Sequence, residues 1–125
     1  MQIIVCTDRR EVEEAVAETF DGAEDRQTVC ESGMELLAVA KTLAADLLVL
    51  DLETPGLNGL LLVSALQELA PKLPVVAVTT KADTDARSLA QKGVRVARLA
   101  AGNGFQPPLA EIGRSSRQAA GAGAR

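Results

Sequence analysis

The stretch Leu47-Leu48-Val49-Leu50 is the most apolar run of the chain, and Asp51 follows it directly. Four branched apolar residues in succession are typical of a β-strand that is buried on both faces, as in a parallel sheet. The next residues, Thr54-Pro55-Gly56-Leu57-Asn58-Gly59, are a turn cluster. The pattern predicts a buried strand that ends in an acid.

Apolar strands and amphipathic helices alternate on both sides of this stretch. Ser32 with Glu35 three residues later is a capping-box pattern, which predicts a helix start. The alternation suits right-handed crossovers and predicts an open parallel sheet with helices on both faces. We expect strands at 3–6, 27–30, 47–50, 75–78 and 94–99, and helices at 11–20, 34–43, 60–70, 83–92 and 109–117.

A length of 125 residues corresponds to one domain. We expect this domain to span residues 1–117, with an irregular link at 100–108. Residues 118–125 are rich in Ala and Gly, which predicts a disordered tail or the start of a linker.

The composition excludes several function classes. The chain has no His, Trp or Tyr, which excludes Ser-His-Asp and Cys-His catalysis, His-dependent zinc sites and aromatic platforms for single-stranded nucleic acids. The longest apolar runs are far shorter than the roughly 20 residues that span a bilayer. No basic-then-apolar leader opens the sequence, so we expect a cytoplasmic protein without membrane contact.

Charge is unevenly distributed along the chain. Residues 1–80 carry five basic and 14 acidic side chains, whereas residues 81–125 carry eight and three. The acidic main body argues against direct nucleic-acid binding. Cys6 and Cys30 lie in apolar contexts and are expected to be reduced and buried.

Polar residues follow three of the predicted strands. Asp8 follows the first, Asp51 ends the third, and Thr79 and Thr80 end the fourth. Ligands of such sheets bind beyond the carboxyl ends of the strands, so these side chains should converge. Two carboxylates favour a Mg²⁺ ion, and a neutralised Asp51 could attack a phosphoryl group. The alternative is that Asp51 only ends a strand and Thr79 caps the next helix.

The segment 48–59 resembles the phospho-acceptor segment of receiver domains from two-component response regulators. The segments Ile3-Ile4-Val5-Cys6-Thr7-Asp8, 32–37 and 73–80 resemble the first strand, the second helix and the fourth strand of these domains. The resemblance covers about residues 2–99. It implies a flavodoxin-like, doubly wound sheet of five parallel strands in the order 2-1-3-4-5.

The resemblance also implies roles for single residues. Asp51 would accept the phosphoryl group, with Mg²⁺ held by Asp8, Asp51 and the backbone carbonyl of Glu53. Thr79, with Thr80 beside it, would contact the phosphoryl group. The implied partners are a histidine kinase or phosphotransfer protein and a downstream effector domain or protein, with a homodimer as a further possibility.

Three positions depart from the family pattern. Thr7 replaces the first of two adjacent acids, Ala100-Ala101 replaces the Lys-Pro pair after the fifth strand, and Ala97 replaces an aromatic switch residue. The missing Lys weakens phosphoryl binding by roughly 1.5–3 kcal/mol. Lys81, or less readily Arg98, could supply a substitute cation.

Three functions remain open from the sequence. The first is a non-enzymatic receiver that is phosphorylated on Asp51 in a phosphorelay. The second is a pseudo-receiver that docks proteins without phosphorylation, through its fourth helix, fifth strand and fifth helix. The third is a phosphatase-like site, to which the segment 51–54 is faintly similar, although it lacks the second Asp and a catalytic Lys.

Overall fold

The computed structural model describes residues 1–54, 56, 58–79, 84–100 and 104–106. Strands and helices alternate along the chain, as the apolar pattern predicts. Their bounds are β1 Gln2–Cys6, α1 Arg10–Thr19, β2 Arg26–Cys30, α2 Gly33–Thr42, β3 Leu47–Asp51, α3 Gly59–Leu69, β4 Val75–Thr79, α4 Thr84–Gln91, β5 Arg95–Ala100 and β6 Gly104–Gln106.

The sheet has the order β2-β1-β3-β4-β5-β6. Its first five strands are parallel, which confirms the predicted fold class and strand order. The sixth strand differs from the prediction, because β6 lies within the segment expected to be an irregular link. It pairs antiparallel with β5, joining Arg98 to Gln106 and Ala100 to Gly104. Three residues are too few for a periodic pattern, so the sequence carries no signal for β6.

The core has two halves because side chains of successive strand residues point to opposite faces of the sheet. On one face, Ile3 and Val5 pack with Val12 and Val16 of α1. On the other face, Ile4 packs among the helices that follow β2, β3 and β4, whose buried members include Leu36, Leu62, Val63, Leu66 and Leu89. Every residue of β3 is buried, as expected for the strand at the centre of the sheet.

Two helices start at side-chain caps. Oγ of Ser32 accepts a hydrogen bond from the Glu35 backbone N–H at 3.2 Å, which confirms the cap predicted for α2. Oδ1 of Asn58 accepts one from the Leu61 N–H at 3.1 Å at the start of α3. Between β3 and α3, Gly56 has a φ of +74°, a conformation that favours glycine.

Some predictions concern other parts of the chain. The helix expected at 109–117, the tail at 118–125, Thr80 and Lys81 lie outside the described residues. Within the described ranges, no helix is long and apolar enough to cross a membrane.

Candidate functional site: a buried aspartate held by an arginine

Asp51 is the last residue of β3 and is 0% exposed. Strands β1 and β4 flank β3, with Leu50 paired to Cys6 and Asp51 paired to Val78. The two flanking strands, together with the side chains of Thr7 and Arg9 that contact it, remove the Asp51 carboxylate from water. A buried carboxylate is stable only when it is paired and hydrogen-bonded.

The carboxylate of Asp51 accepts four hydrogen bonds, two on each oxygen. Oδ2 accepts from the Thr7 hydroxyl at 2.6 Å and from Nε of Arg9 at 2.8 Å. Oδ1 accepts from Nη2 of Arg9 at 2.9 Å and from the Glu53 backbone N–H at 3.0 Å. A carboxylate offers about four lone-pair sites, so these donors account for all of them.

Arg9 reaches Asp51 because the backbone after β1 fixes its position. It is the N-cap residue of α1 and has an extended conformation, with φ −102° and ψ 123°. Its backbone N–H donates to Oγ1 of Thr7 at 3.0 Å. Thr7, which is buried, therefore contacts both partners of the Arg9–Asp51 pair and aligns them.

The third nitrogen of the Arg9 guanidinium contacts two other acids. Nη1 lies 2.8 Å from Oε2 of Glu53 and 3.3 Å from Oε1 of Glu11. The hydrogen bond to Asp51 is the main reason that the pKa of Arg9 is raised, and the three acids outweigh the opposing effect of burial. Arg9 thus stays charged and joins β1, β3 and the start of α1.

The structure describes three further residues of the predicted site: Asp8, Glu53 and Thr79. Glu53 contacts Arg9 through its carboxylate, and its side chain is 20% exposed. Thr79 is buried at the end of β4, one residue beyond the pairing partner of Asp51. Asp8 is exposed, and the described residues offer it no hydrogen bond or ion pair. Roles for Asp8 and Thr79 in binding a metal or a phosphoryl group stay predictions.

Sequence reasoning missed Arg9. It sought a replacement for the family's strand-five Lys at Lys81 and Arg98, and it treated Thr7 only as a lost acid. The available signal was the combination of a hydroxyl at position 7 and a guanidinium at position 9, because both follow the end of the same strand.

The residues of this arrangement do not fit the Mg²⁺ ion that the resemblance implies. Both oxygens of Asp51 face the guanidinium of Arg9, so a cation would have to displace it. Within the described ranges, no three His, Cys, Asp or Glu side chains lie close enough together to hold a metal ion.

A neighbouring hydroxyl finds no hydrogen-bond partner within the part of the chain that the structure describes. Oγ1 of Thr54 is buried, and no hydrogen-bonding group among the described residues reaches it. The Thr54 backbone N–H, in contrast, donates to the carbonyl oxygen of Asp51 at 3.3 Å. An unsatisfied buried hydroxyl costs about 1–3 kcal/mol, so this loop does not have the most stable side chain at position 54.

The largest exposed apolar side chains among the described residues lie on α2 and α3. Met34 is 86% exposed, Leu61 69% and Leu69 45%. A groove of about 480 Å³ lies between the starts of the two helices, with Leu37 and Leu62 in its lining.

Comparison with known families matches residues 3–96 to a family described as "Response regulator receiver domain". The match covers most of the chain, and the sheet order agrees with it. The chain therefore belongs to the receiver domain family of two-component response regulators.

Among curated proteins, a segment of 59 residues is 39% identical to the "DNA-binding transcriptional regulator NtrC" of Klebsiella pneumoniae. That segment is 47% of this chain and 13% of the regulator, so the chain spans a small part of the curated relatives it matches.

Two solved structures illustrate the fold. The receiver domain of NtrX from Brucella abortus superposes with a TM-score of 0.78 at 20% identity, over 94% of this chain and 98% of that one. The signal receiver domain of an HD domain-containing protein from Pseudomonas fluorescens gives a TM-score of 0.81 at 11% identity, over 97% and 89%.

Proposed function

We propose that this receiver domain acts in two-component signalling as a protein-docking module that does not depend on phosphorylation. One observation carries the proposal: all four lone-pair sites of the Asp51 carboxylate accept hydrogen bonds, two of them from Arg9. A carboxylate attacks phosphorus through a free lone pair, and in this arrangement none is free.

The energy needed to release Asp51 supports this proposal. Removing one partner of a buried ion pair costs roughly 3–5 kcal/mol. The Arg9 side chain is 22% exposed, so the lower end of this range applies. A cost of about 3 kcal/mol slows a reaction by about a hundredfold or more. Phosphorylation of Asp51 would carry this penalty in addition to its ordinary barrier.

Two departures from the family pattern on β5 also support docking without phosphorylation. Ala97, at the position where the family tends to have an aromatic switch residue, is buried in the core. A methyl group has no ring that could move between an inward and an outward position. Ala100, which ends β5 and matches the family's Lys by resemblance, supplies no charge. A phosphoryl group on Asp51 would therefore lack two of the usual elements that detect it.

The second candidate function is phosphoryl acceptance on Asp51 with Mg²⁺, as in a phosphorelay. Its support is the position of Asp51 at the end of β3, beside the strand that carries Thr79, together with membership of the family. It requires Arg9 to leave Asp51.

Under either candidate, the chain works through other proteins and is not an enzyme. We propose a histidine kinase or phosphotransfer protein as one partner and an effector domain or protein as the other. We also propose a cytoplasmic location and no direct contact of this domain with nucleic acid. A homodimer stays a prediction.

Acetyl phosphate with MgCl2 separates the two candidates. The wild type, Asp51→Asn and Arg9→Ala would be incubated with both reagents and their intact masses recorded. Docking without phosphorylation predicts no phosphoryl adduct on the wild type. It predicts an adduct on Arg9→Ala, and no adduct on the double variant that carries both Arg9→Ala and Asp51→Asn. Stoichiometric labelling of wild-type Asp51 would instead establish the second candidate.

A further inference from the structure

We infer that the guanidinium of Arg9 is the resident cation of this site and takes the place of a divalent metal ion. The carboxylates of Asp51 and Glu53 both lie 2.8 Å from nitrogens of this one side chain. Like charges brought this close repel unless a cation joins them. Here the cation is part of the chain, so the site needs none from solution.

The geometry uses every nitrogen of the guanidinium. Nε and Nη2 form the two-point contact with Asp51, and Nη1 contacts Glu53 and Glu11. Arginine suits this task because its planar group matches a carboxylate and stays charged. Mg²⁺ demands near-octahedral geometry and gives up its waters reluctantly, so it competes poorly for oxygens that already have fixed donors.

The residue at position 7 also favours an arginine over a metal ion at this site. The Thr7 hydroxyl donates to Oδ2 of Asp51, where an acid would add negative charge beside that oxygen. The same oxygen of Thr7 accepts the Arg9 backbone N–H and thereby fixes the start of the arginine side chain. The site thus has a hydroxyl where the family has an acid and contains the guanidinium of Arg9, which lowers its demand for a divalent cation.

A consequence is that the site should bind divalent cations only when Arg9 is removed. Without the guanidinium, Asp51 and Glu53 would lack their shared counter-charge, and one or two carboxylates completed by water molecules are a ligand set that Mg²⁺ accepts. This inference rests on the proposed function, because both require Arg9 to be held on Asp51. Its test, however, measures cation binding and not phosphoryl transfer.

Two measurements test the inference. The first compares thermal unfolding in MgCl2 with thermal unfolding in NaCl of matched ionic strength, and the second is a calorimetric titration of Mg²⁺ into the protein. The variants are Arg9→Ala and the matched control Arg10→Ala, which removes a neighbouring exposed arginine and changes the net charge equally. We expect no specific Mg²⁺ effect on the wild type or Arg10→Ala. For Arg9→Ala, Mg²⁺ at about ten times its Kd should raise the folded-to-unfolded ratio roughly tenfold.

Arg9→Gln serves as a second variant should Arg9→Ala fail to fold, because it is also neutral but retains a hydrogen-bond donor. Saturable Mg²⁺ binding by the wild type would overturn the inference, as would the absence of a Mg²⁺ effect in every folded variant at position 9. Acetyl phosphate labelling of a wild type that binds no Mg²⁺ would overturn the proposed function alone. Mg²⁺ binding without labelling would overturn only the inference.

Discussion

The guanidinium of Arg9 contacts the carboxylate of Asp51 at two points, with Nε 2.8 Å from Oδ2 and Nη2 2.9 Å from Oδ1. Paired N–H···O contacts of this kind are stronger and more directional than a single ionic contact. By resemblance, Asp51 matches the position that receiver domains phosphorylate. The pair therefore joins the family's acceptor position to a cation that belongs to the chain itself.

Replacing Arg9 should destabilise the fold more than replacing Arg10. Arg9→Ala leaves a buried carboxylate without its counter-charge, and we expect a loss of about 3 kcal/mol in the free energy of unfolding. Arg9→Lys keeps the charge but cannot form the two-point contact, so its loss should be smaller. Denaturant unfolding measures both, with Arg10→Ala expected within about 0.5 kcal/mol of the wild type. Equal losses for Arg9→Ala and Arg10→Ala would contradict the pair's role.

Two threonines near Asp51 should respond oppositely to the same substitution. Thr7→Val removes a hydroxyl that donates to Asp51 at 2.6 Å, and we expect a loss of about 2 kcal/mol. Thr54→Val removes a buried hydroxyl that has no partner among the described residues, so stability should be unchanged or rise by about 1 kcal/mol. Urea unfolding of the two variants provides the comparison. A larger loss for Thr54→Val than for Thr7→Val would refute this assignment of hydrogen bonds.

The N-cap of α2 should contribute measurably to stability. Ser32→Ala removes the acceptor of the Glu35 N–H and should cost about 1 kcal/mol. Ser64 is a matched control within α3, where its hydroxyl donates to the Leu60 carbonyl oxygen at 3.0 Å. Ser64→Ala should be neutral or slightly stabilising, because alanine favours the helix. Thermal unfolding of both variants decides the point, and equal losses would argue against the cap.

The two cysteines predict a loss of stability at alkaline pH. Burial is the main cause that raises the pKa of Cys6 to about 12 and that of Cys30 to about 11, from an ordinary value of 9.0. As pH rises above 9, the unfolded chain releases these protons while the folded chain retains them. The stability that is fully present below pH 9 therefore decreases until the folded thiols ionise.

Urea unfolding under reducing conditions, at several pH values between 7 and 11, measures this decrease. The double variant Cys6→Ala and Cys30→Ala should lose less stability over the same range, since the lysines titrate in both proteins and no tyrosine is present. Identical pH dependence of the two proteins, or rapid alkylation of the native thiols at pH 8, would count against buried, protonated cysteines.

The sequence predicted most of the fold because its signals are local and repeated. The run at 47–50, the capping residues Ser32 and Glu35, and the turn at 54–59 each indicate an element by their own chemistry. The observed bounds of the predicted elements that the structure describes differ from the expected ones by at most one residue at each end, where helices and strands leave the least pattern. β6 was not predicted, because its three residues form a strand only by pairing with β5.

The site was less predictable than the fold. The sequence placed Asp51 at the end of a central strand, and the structure agrees. It could not reveal the partner of Asp51, because Arg9 is far from Asp51 along the chain and the contact forms only when β1 and β3 pair. An arginine at the start of a helix is usually interpreted as a solvated charge, and only its contact with a buried aspartate distinguishes Arg9.

The NMR signal of the Arg9 Nε–H tests the pair most directly. In the uniformly ¹⁵N-labelled wild type with MgCl2, we predict a separate Nε–H signal for Arg9. Its proton should exchange with water much more slowly than that of Arg10. In Asp51→Asn, the signal should move to the chemical shift of the exposed arginines. An Arg9 Nε–H that exchanges as fast as that of Arg10, or that MgCl2 displaces, would contradict a guanidinium held on Asp51.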